Sequence, residues 1–194
     1  MLHEIETARL RLRPFTPNDV DDFHQLLIDP NVRKYLCDDK VIPREQAASF
    51  IDGSLASFET NGFGLWAVLP CQEDTLIGFC GFWFFYDPPE LQLLYGIAPA
   101  HWGKGLATEI ARAMIRYGFE EHSFDRIIAS ADAPNLASLR VMEKAGMTFE
   151  KRVSINGLDL VYYAIAREAF QLDESPYRVR EVIAVAKAVR TSRQ

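Results

Sequence analysis

The sequence predicts a single α/β domain, a mixed sheet with helices packed on its faces, and three observations lead there. Period-2 alternation and short apolar runs are interleaved with stretches whose apolar residues recur every three or four positions, so strands and helices alternate along the chain. The 194 residues are 48% hydrophobic, enough for one full core. No linker, repeat or low-complexity tract divides them.

Arg9-Leu10-Arg11-Leu12-Arg13 alternates basic and apolar residues, the pattern of a strand with one buried face. Thr16-Pro17-Asn18-Asp19 supplies a cap, a first-turn proline and early acidic charge, predicting a helix to about Leu27. A second helix is expected from near Pro43 until Asn61-Gly62 stops it. Leu65 to Leu69 and Leu76 to Tyr86 read as a hairpin around the polar turn Cys71 to Asp74, and Asp87-Pro88-Pro89 ends its second strand. Leu91 to Ile97 is the next strand. A glycine-rich loop then opens into a helix from about Lys104 to Tyr117. A strand from Arg126 to Ala131 and a helix from Asn135 to Lys144 follow, the helix stopped by Gly146. Met147 to Val153 and Leu158 to Ala166 pair across Ile155-Asn156-Gly157, where Asn-Gly is a strong hairpin signal.

Composition removes several function classes. No apolar stretch is long enough to span a bilayer, and Glu4 and Glu6 stand where a signal peptide needs cations, so a cytoplasmic protein is expected. Cys37, Cys71 and Cys80 show no metal-ligand or disulfide spacing, and no metal is expected. A net charge of −6 disfavours nucleic acid and suits a cationic partner.

The most informative segment is Pro99-Ala100-His101-Trp102-Gly103-Lys104-Gly105-Leu106-Ala107-Thr108-Glu109. A strand feeding a Gly-x-Gly-x-Ala turn at a helix start gathers unpaired backbone N–H groups and the positive end of the helix dipole, which suits a pyrophosphate. An ordinary tight turn is the plainer alternative. Neither a Walker A loop nor a G-x-G-x-x-G fingerprint fits, since Gly105 follows Lys104 and Thr108 replaces the third glycine.

This loop resembles the acetyl-CoA motif of the GNAT acetyltransferase superfamily, [Gln/Arg]-x-x-Gly-x-[Gly/Ala], matched by Gly105 and Ala107 with Trp102 in the Gln/Arg place. Trp-Gly-Lys-Gly-Leu-Ala-Thr-Glu is similar to the branch containing ribosomal-protein N-terminal acetyltransferases. So are Asn135-x-x-Ser138, Glu143-Lys144-Ala145-Gly146-Met147 and the opening Thr7 to Arg13. The likeness covers about residues 7 to 167. It implies a mostly antiparallel GNAT-like sheet, with helices on both faces and a V-shaped splay between its fourth and fifth strands. The implied cofactor is acetyl-CoA as co-substrate, held by backbone groups of Tyr95, Gly96 and Ile97 along the pantetheine. Gly103, Lys104, Gly105, Leu106, Ala107 and Thr108 would hold the pyrophosphate, with Asn135 at the cofactor or simply capping its helix. Residues 1 to 170 would form this domain.

Catalytic groups are less plain. Many relatives carry an acidic tyrosine seven residues after the Asn, where this chain has Met142, which has no proton to give. Ser138 is the substitute acid. Glu90 and Gln92 share a strand face, and Glu90 is the candidate base because an amide cannot take a proton at neutral pH. An α-amine, pKa near 7.7–8.0, needs less help from a base than a lysine-like amine, pKa about 10.4. The expected acceptor is therefore an amine-bearing small molecule or a protein N-terminus. Trp66, Phe79, Phe82, Trp83, Phe84 and Phe85 could line an acceptor pocket, but at strand positions such aromatics are more often core. Met142 and Gln92 keep open a second reading, a CoA-binding sensor without turnover.

Residues 171 to 194 extend past the likeness. From Tyr177 onward the net charge is +4 against −6 for the whole chain. Val179, Val182, Ile183, Ala186 and Val189 recur at three- and four-residue spacing, predicting an amphipathic basic helix docked on the acidic body of its own or a neighbouring subunit, the latter as a homodimer.

Overall fold

The computed structural model describes residues 2–86, 88–155 and 157–182. Nine strands are described: β1 Leu2–Thr7, β2 Leu10–Pro14, β3 Leu65–Pro70, β4 Gly78–Phe85, β5 Glu90–Ile97, β6 Arg126–Asp132, β7 Thr148–Ile155, β8 Leu158–Ala166 and β9 Tyr177–Val182. The helices are α1 Val20–Ile28, α2 Pro30–Leu36, α3 Arg44–Asn61, α4 Leu106–Glu120 and α5 Leu136–Lys144. The strands form a six-stranded sheet in the order β5-β4-β3-β2-β1-β9 and a three-stranded sheet β6-β8-β7, every described ladder antiparallel. β5 and β6 are neighbours that share no ladder, which is the expected V-shaped splay.

The apolar run of β3 is buried on both faces, as a central strand covered twice must be. Leu65, Ala67 and Leu69 point to a cluster with Phe23, Leu26 and Ile51 from α1 and α3. Trp66 and Val68 point the other way, to Ile110, Met114 and Tyr117 of α4. At about 1.5–3 kcal/mol for each large apolar side chain fully buried, these two layers hold α4 and the α1–α3 group to opposite faces.

Two elements escaped the sequence. β1 precedes the expected first strand. α2 starts at an ordinary signal, Asp29 accepting from the N–H of Asn31 at 2.8 Å with Pro30 behind it. Ahead of α1, Arg13 grips buried Asp19 through two guanidinium nitrogens at 2.8 and 2.7 Å, and the Thr16 N–H donates to the same carboxylate at 2.6 Å. Burial pushes the Asp19 carboxyl up, but the bonds from Arg13 and Thr16 outweigh it and hold it below the usual range.

The C-terminal helix is a correction. Tyr177–Val182 is a strand, β9, paired antiparallel with β1 in the register Ile5↔Val179 and Glu4↔Arg180. Val179 and Val182 are β-branched, and Arg178 and Arg180 alternate with Val179, so the stretch satisfies strand period as well as helix period. The unmet edge of β1 decides between them. Docking on acidic residues of the same chain is present in strand form, with Arg180 reaching Glu6 Oε2 at 2.6 Å. The rest of the expected helix lies outside the described residues.

Between β8 and β9 the chain crosses the outside of α4. Phe170 packs on Phe119 at 5.2 Å, Asp173 lies 3.6 Å from Arg112, and the Arg116 guanidinium sits 4.3 Å over the Tyr177 ring. The crossing ties the far edge of the large sheet to the small one.

Candidate active site

The loop ahead of α4 is shaped by two left-handed glycines, Gly103 at φ 74° and Gly105 at φ 76°. Gly105 is the cap of α4, and an L side chain there would be strained. The first helical bond runs from the Glu109 N–H to the Gly105 carbonyl, so the amides of Leu106, Ala107 and Thr108 precede it and have no helical partner. Gly103, Lys104 and Gly105 are exposed, and a Cβ built on Gly103 would meet nothing. An anion can therefore reach these N–H groups at the positive end of the dipole, as the pyrophosphate of CoA requires.

Side chains that the sequence did not nominate set this loop. The Glu109 carboxylate accepts from Thr7 Oγ1 at 2.7 Å, the Arg9 N–H at 3.0 Å and Arg9 Nε at 2.7 Å. Arg9 also donates to the Lys104 carbonyl at 2.8 Å. Trp102 donates its indole N–H to the Ile97 carbonyl at 2.6 Å, pinning the loop to the end of β5. Of the β5 backbone groups expected along a pantetheine, that carbonyl is already taken. The signal was legible in Trp102, an aromatic residue with a single donor where the motif has Gln or Arg.

Side-chain alternation gives β5 two faces. Leu93 and Ile97 belong to the α4-side cluster, with Tyr95 packed against it, whereas Leu94 packs with the α1–α3 cluster. By two-residue periodicity Glu90 and Gln92 lie with Leu94. On the α4 side, the Tyr95 hydroxyl is 3.0 Å from Ser138 Oγ and 3.2 Å from the Ser138 carbonyl at the start of α5. Burial, opposed by that bond to Ser138, pushes the phenol up to about 12. Asn135 Oδ1 accepts from the Ser138 N–H at 3.2 Å and caps α5. Met142 is fully buried in the core.

On the other face, Gln92 donates to Glu90 Oε1 at 2.6 Å and accepts from Ser130 Oγ of β6 at 2.7 Å. Buried Gln92 is thus a strut between β5 and β6, the two arms of the V. Glu90 and Tyr95, five residues apart, are separated by about 16 Å along the strand. Asp132 ends β6, and burial, then Asp38 and Asp159, hold its carboxyl above the usual range. Trp66, Phe79 and Phe82 are core, while Phe84 is exposed.

A cavity of about 560 Å³ flanks α4 near Gly105 and Thr108, beside Arg9, Arg112 and Lys144, without touching Tyr95 or Ser138. Among the described residues no His, Cys, Asp and Glu group fits a metal ion, and no helix is long and apolar enough to cross a membrane.

Comparison with known proteins agrees with this geometry. The family described as an acetyltransferase (GNAT) domain matches residues 9–148. An uncharacterised N-acetyltransferase of Bacillus subtilis, YnaD, is 32% identical over 84% of this chain and 97% of its own. A GNAT-family acetyltransferase structure from Bacillus anthracis superimposes with a TM-score of 0.73 at 29% identity, over 85% of this chain and 99% of that one. RimL, a ribosomal alpha-N-protein acetyltransferase in complex with coenzyme A, shares the fold at 18% identity and a TM-score of 0.71, over 84% and 97% of the two chains. The chain belongs to the GNAT acetyltransferase family.

Proposed function

We propose that the protein moves an acetyl group from acetyl-CoA directly onto a primary amine, a peptide N-terminus or a small-molecule amine. One observation carries the reading: the unpartnered N–H groups opening α4 stand beside a strand pair that shares no ladder. Amides of Gly103 to Thr108 would hold the pyrophosphate, and the backbone at Tyr95 and Gly96 the pantetheine. Asn135 orders the transfer site by capping α5. The amine approaches from the α1–α3 face and the thiol leaves on the α4 face, where Ser138 supplies its proton.

Glu90 is the β5 carboxylate proposed as base, on the amine's face of the strand. At about 16 Å along the strand from Tyr95 it would take up the amine's proton through water rather than by contact. That modest help suits an α-amine better than a lysine. The carboxylates of Asp38, Asp132 and Asp159 favour a cationic acceptor.

The test is to incubate the pure protein with acetyl-CoA and a panel of peptides, amino acids, polyamines and aminoglycosides, following thiol release and product mass. An acetylated amine is the expected product. CoA binding without thiol release on any amine would favour the sensor reading, for which buried Met142 and the strut role of Gln92 speak.

A further inference from the structure

The contact between Tyr95 and Ser138 has a proton inventory that a structural bond does not need. The phenol carries one proton and has two acceptors in reach, Ser138 Oγ at 3.0 Å and the Ser138 carbonyl at 3.2 Å. With the phenol proton on the carbonyl, the serine proton points back at Tyr95. With the phenol proton on Oγ, the serine proton is free to point elsewhere. Ser138 stands in the first turn of α5, where the helix dipole favours negative charge nearby. Tyr95 lies on the α4 side of β5, three residues beyond Gln92, whose side chain bonds Ser130 of β6.

We propose that Tyr95 is a positioning residue for the transfer: by donating to Ser138 Oγ it turns the serine proton toward the departing sulfur. This rests on the acetyl-transfer reading above. In the step, the amine nitrogen bonds the carbonyl carbon while the C–S bond breaks and its electron pair goes to sulfur. The sulfur gains one proton, lent by Ser138 and restored to it from solvent, and the nitrogen loses one. Tyr95 is neutral before and after. Its raised phenol pKa fits a group that orients without ionising. The pair replaces what the position of Met142 cannot supply, since that thioether is sealed in the core.

The test reads bound CoA itself, so it needs no acceptor. The ultraviolet absorbance of the thiolate is titrated with pH for CoA bound to the wild type, Tyr95→Phe, Ser138→Ala and the double variant. A lost hydrogen bond to the charged sulfur should raise the thiol midpoint by about one unit in each single variant, and by no more in the double. With an amine found in the panel, Tyr95→Phe should lower kcat about tenfold and leave KM for acetyl-CoA within about threefold. Ser138→Thr, which keeps the hydroxyl, should restore the wild-type midpoint. An unchanged midpoint in Tyr95→Phe, or shifts that add in the double variant, would overturn the proposal even if the protein melts earlier. A wild type that does not bind CoA would instead sink the acetyl-transfer reading.

Discussion

Arg9 and Glu109 are locked by two bonds, from the Arg9 N–H at 3.0 Å and its Nε at 2.7 Å, and the same guanidinium caps the Lys104 carbonyl. The turn between β1 and β2 thereby holds the first turn of α4. It also neutralises a carboxylate that would otherwise repel a phosphate beside it. Arg9→Ala should weaken acetyl-CoA binding about fivefold by calorimetry, with little change in melting temperature, since Arg9 is half exposed and exposed ion pairs add little stability. Unchanged affinity would show that the loop holds its shape without Arg9.

Gly105 separates strain from charge. Gly105→Ala should cost about 1 kcal/mol of stability, because φ 76° lies in the left-handed region that favours glycine, while acetyl-CoA still raises the melting temperature. Gly105→Glu should abolish that rise, its carboxylate blocking and repelling the pyrophosphate. A full thermal shift in the Glu variant would put the cofactor elsewhere.

Gln92 is expected to matter for stability before chemistry. Gln92→Ala strips Ser130 Oγ of its buried acceptor and should cost about 1–3 kcal/mol in denaturant unfolding. A variant as stable as wild type would show that the strut across the V is dispensable.

Asp19 sets an acid limit. Its carboxyl is held below the ordinary value, so it contributes stability above the unfolded pKa and loses it as pH falls through the lower folded one. Melting temperature measured downward from about pH 5 should fall, and less steeply in Asp19→Asn, which is less stable at neutral pH. Parallel curves for the two proteins would assign the acid loss to other carboxylates.

Deletion of residues 176–194 uncovers the edge of β1 and removes Tyr177 from Arg116 and Arg180 from Glu6. The melting temperature should drop, or the oligomer mass change, while acetyl-CoA still binds. Full stability and unchanged assembly after deletion would mean that β9 adds nothing to the body.

Most of the frame was legible because its signals are local. The bounds of β8 came directly from its apolar run behind Asn156-Gly157 and the loop glycines from their Gly-x-Gly-x-Ala spacing, whereas Asn135 and Ser138 were nominated through the family resemblance. What stayed hidden depends on partners distant in sequence. β9 is a strand because β1 offers an edge. Arg9 serves the loop only because α4 lands beside it, and Tyr95 meets Ser138 across 43 residues. No window of sequence contains both members of such pairs.

Because β9 pairs with β1, the last described strand completes a sheet begun by the first described one; Arg180 and Glu6 are 174 residues apart. Until β9 has been synthesised, β1 keeps an open edge that can zip onto the wrong chain. Closing so distant a ladder is entropically late, and slow relative to the local hairpins. Glu4 and Glu6 along that waiting edge repel a second copy of β1 and attract the arginines of β9. The charges that register the finished sheet also guard the nascent one.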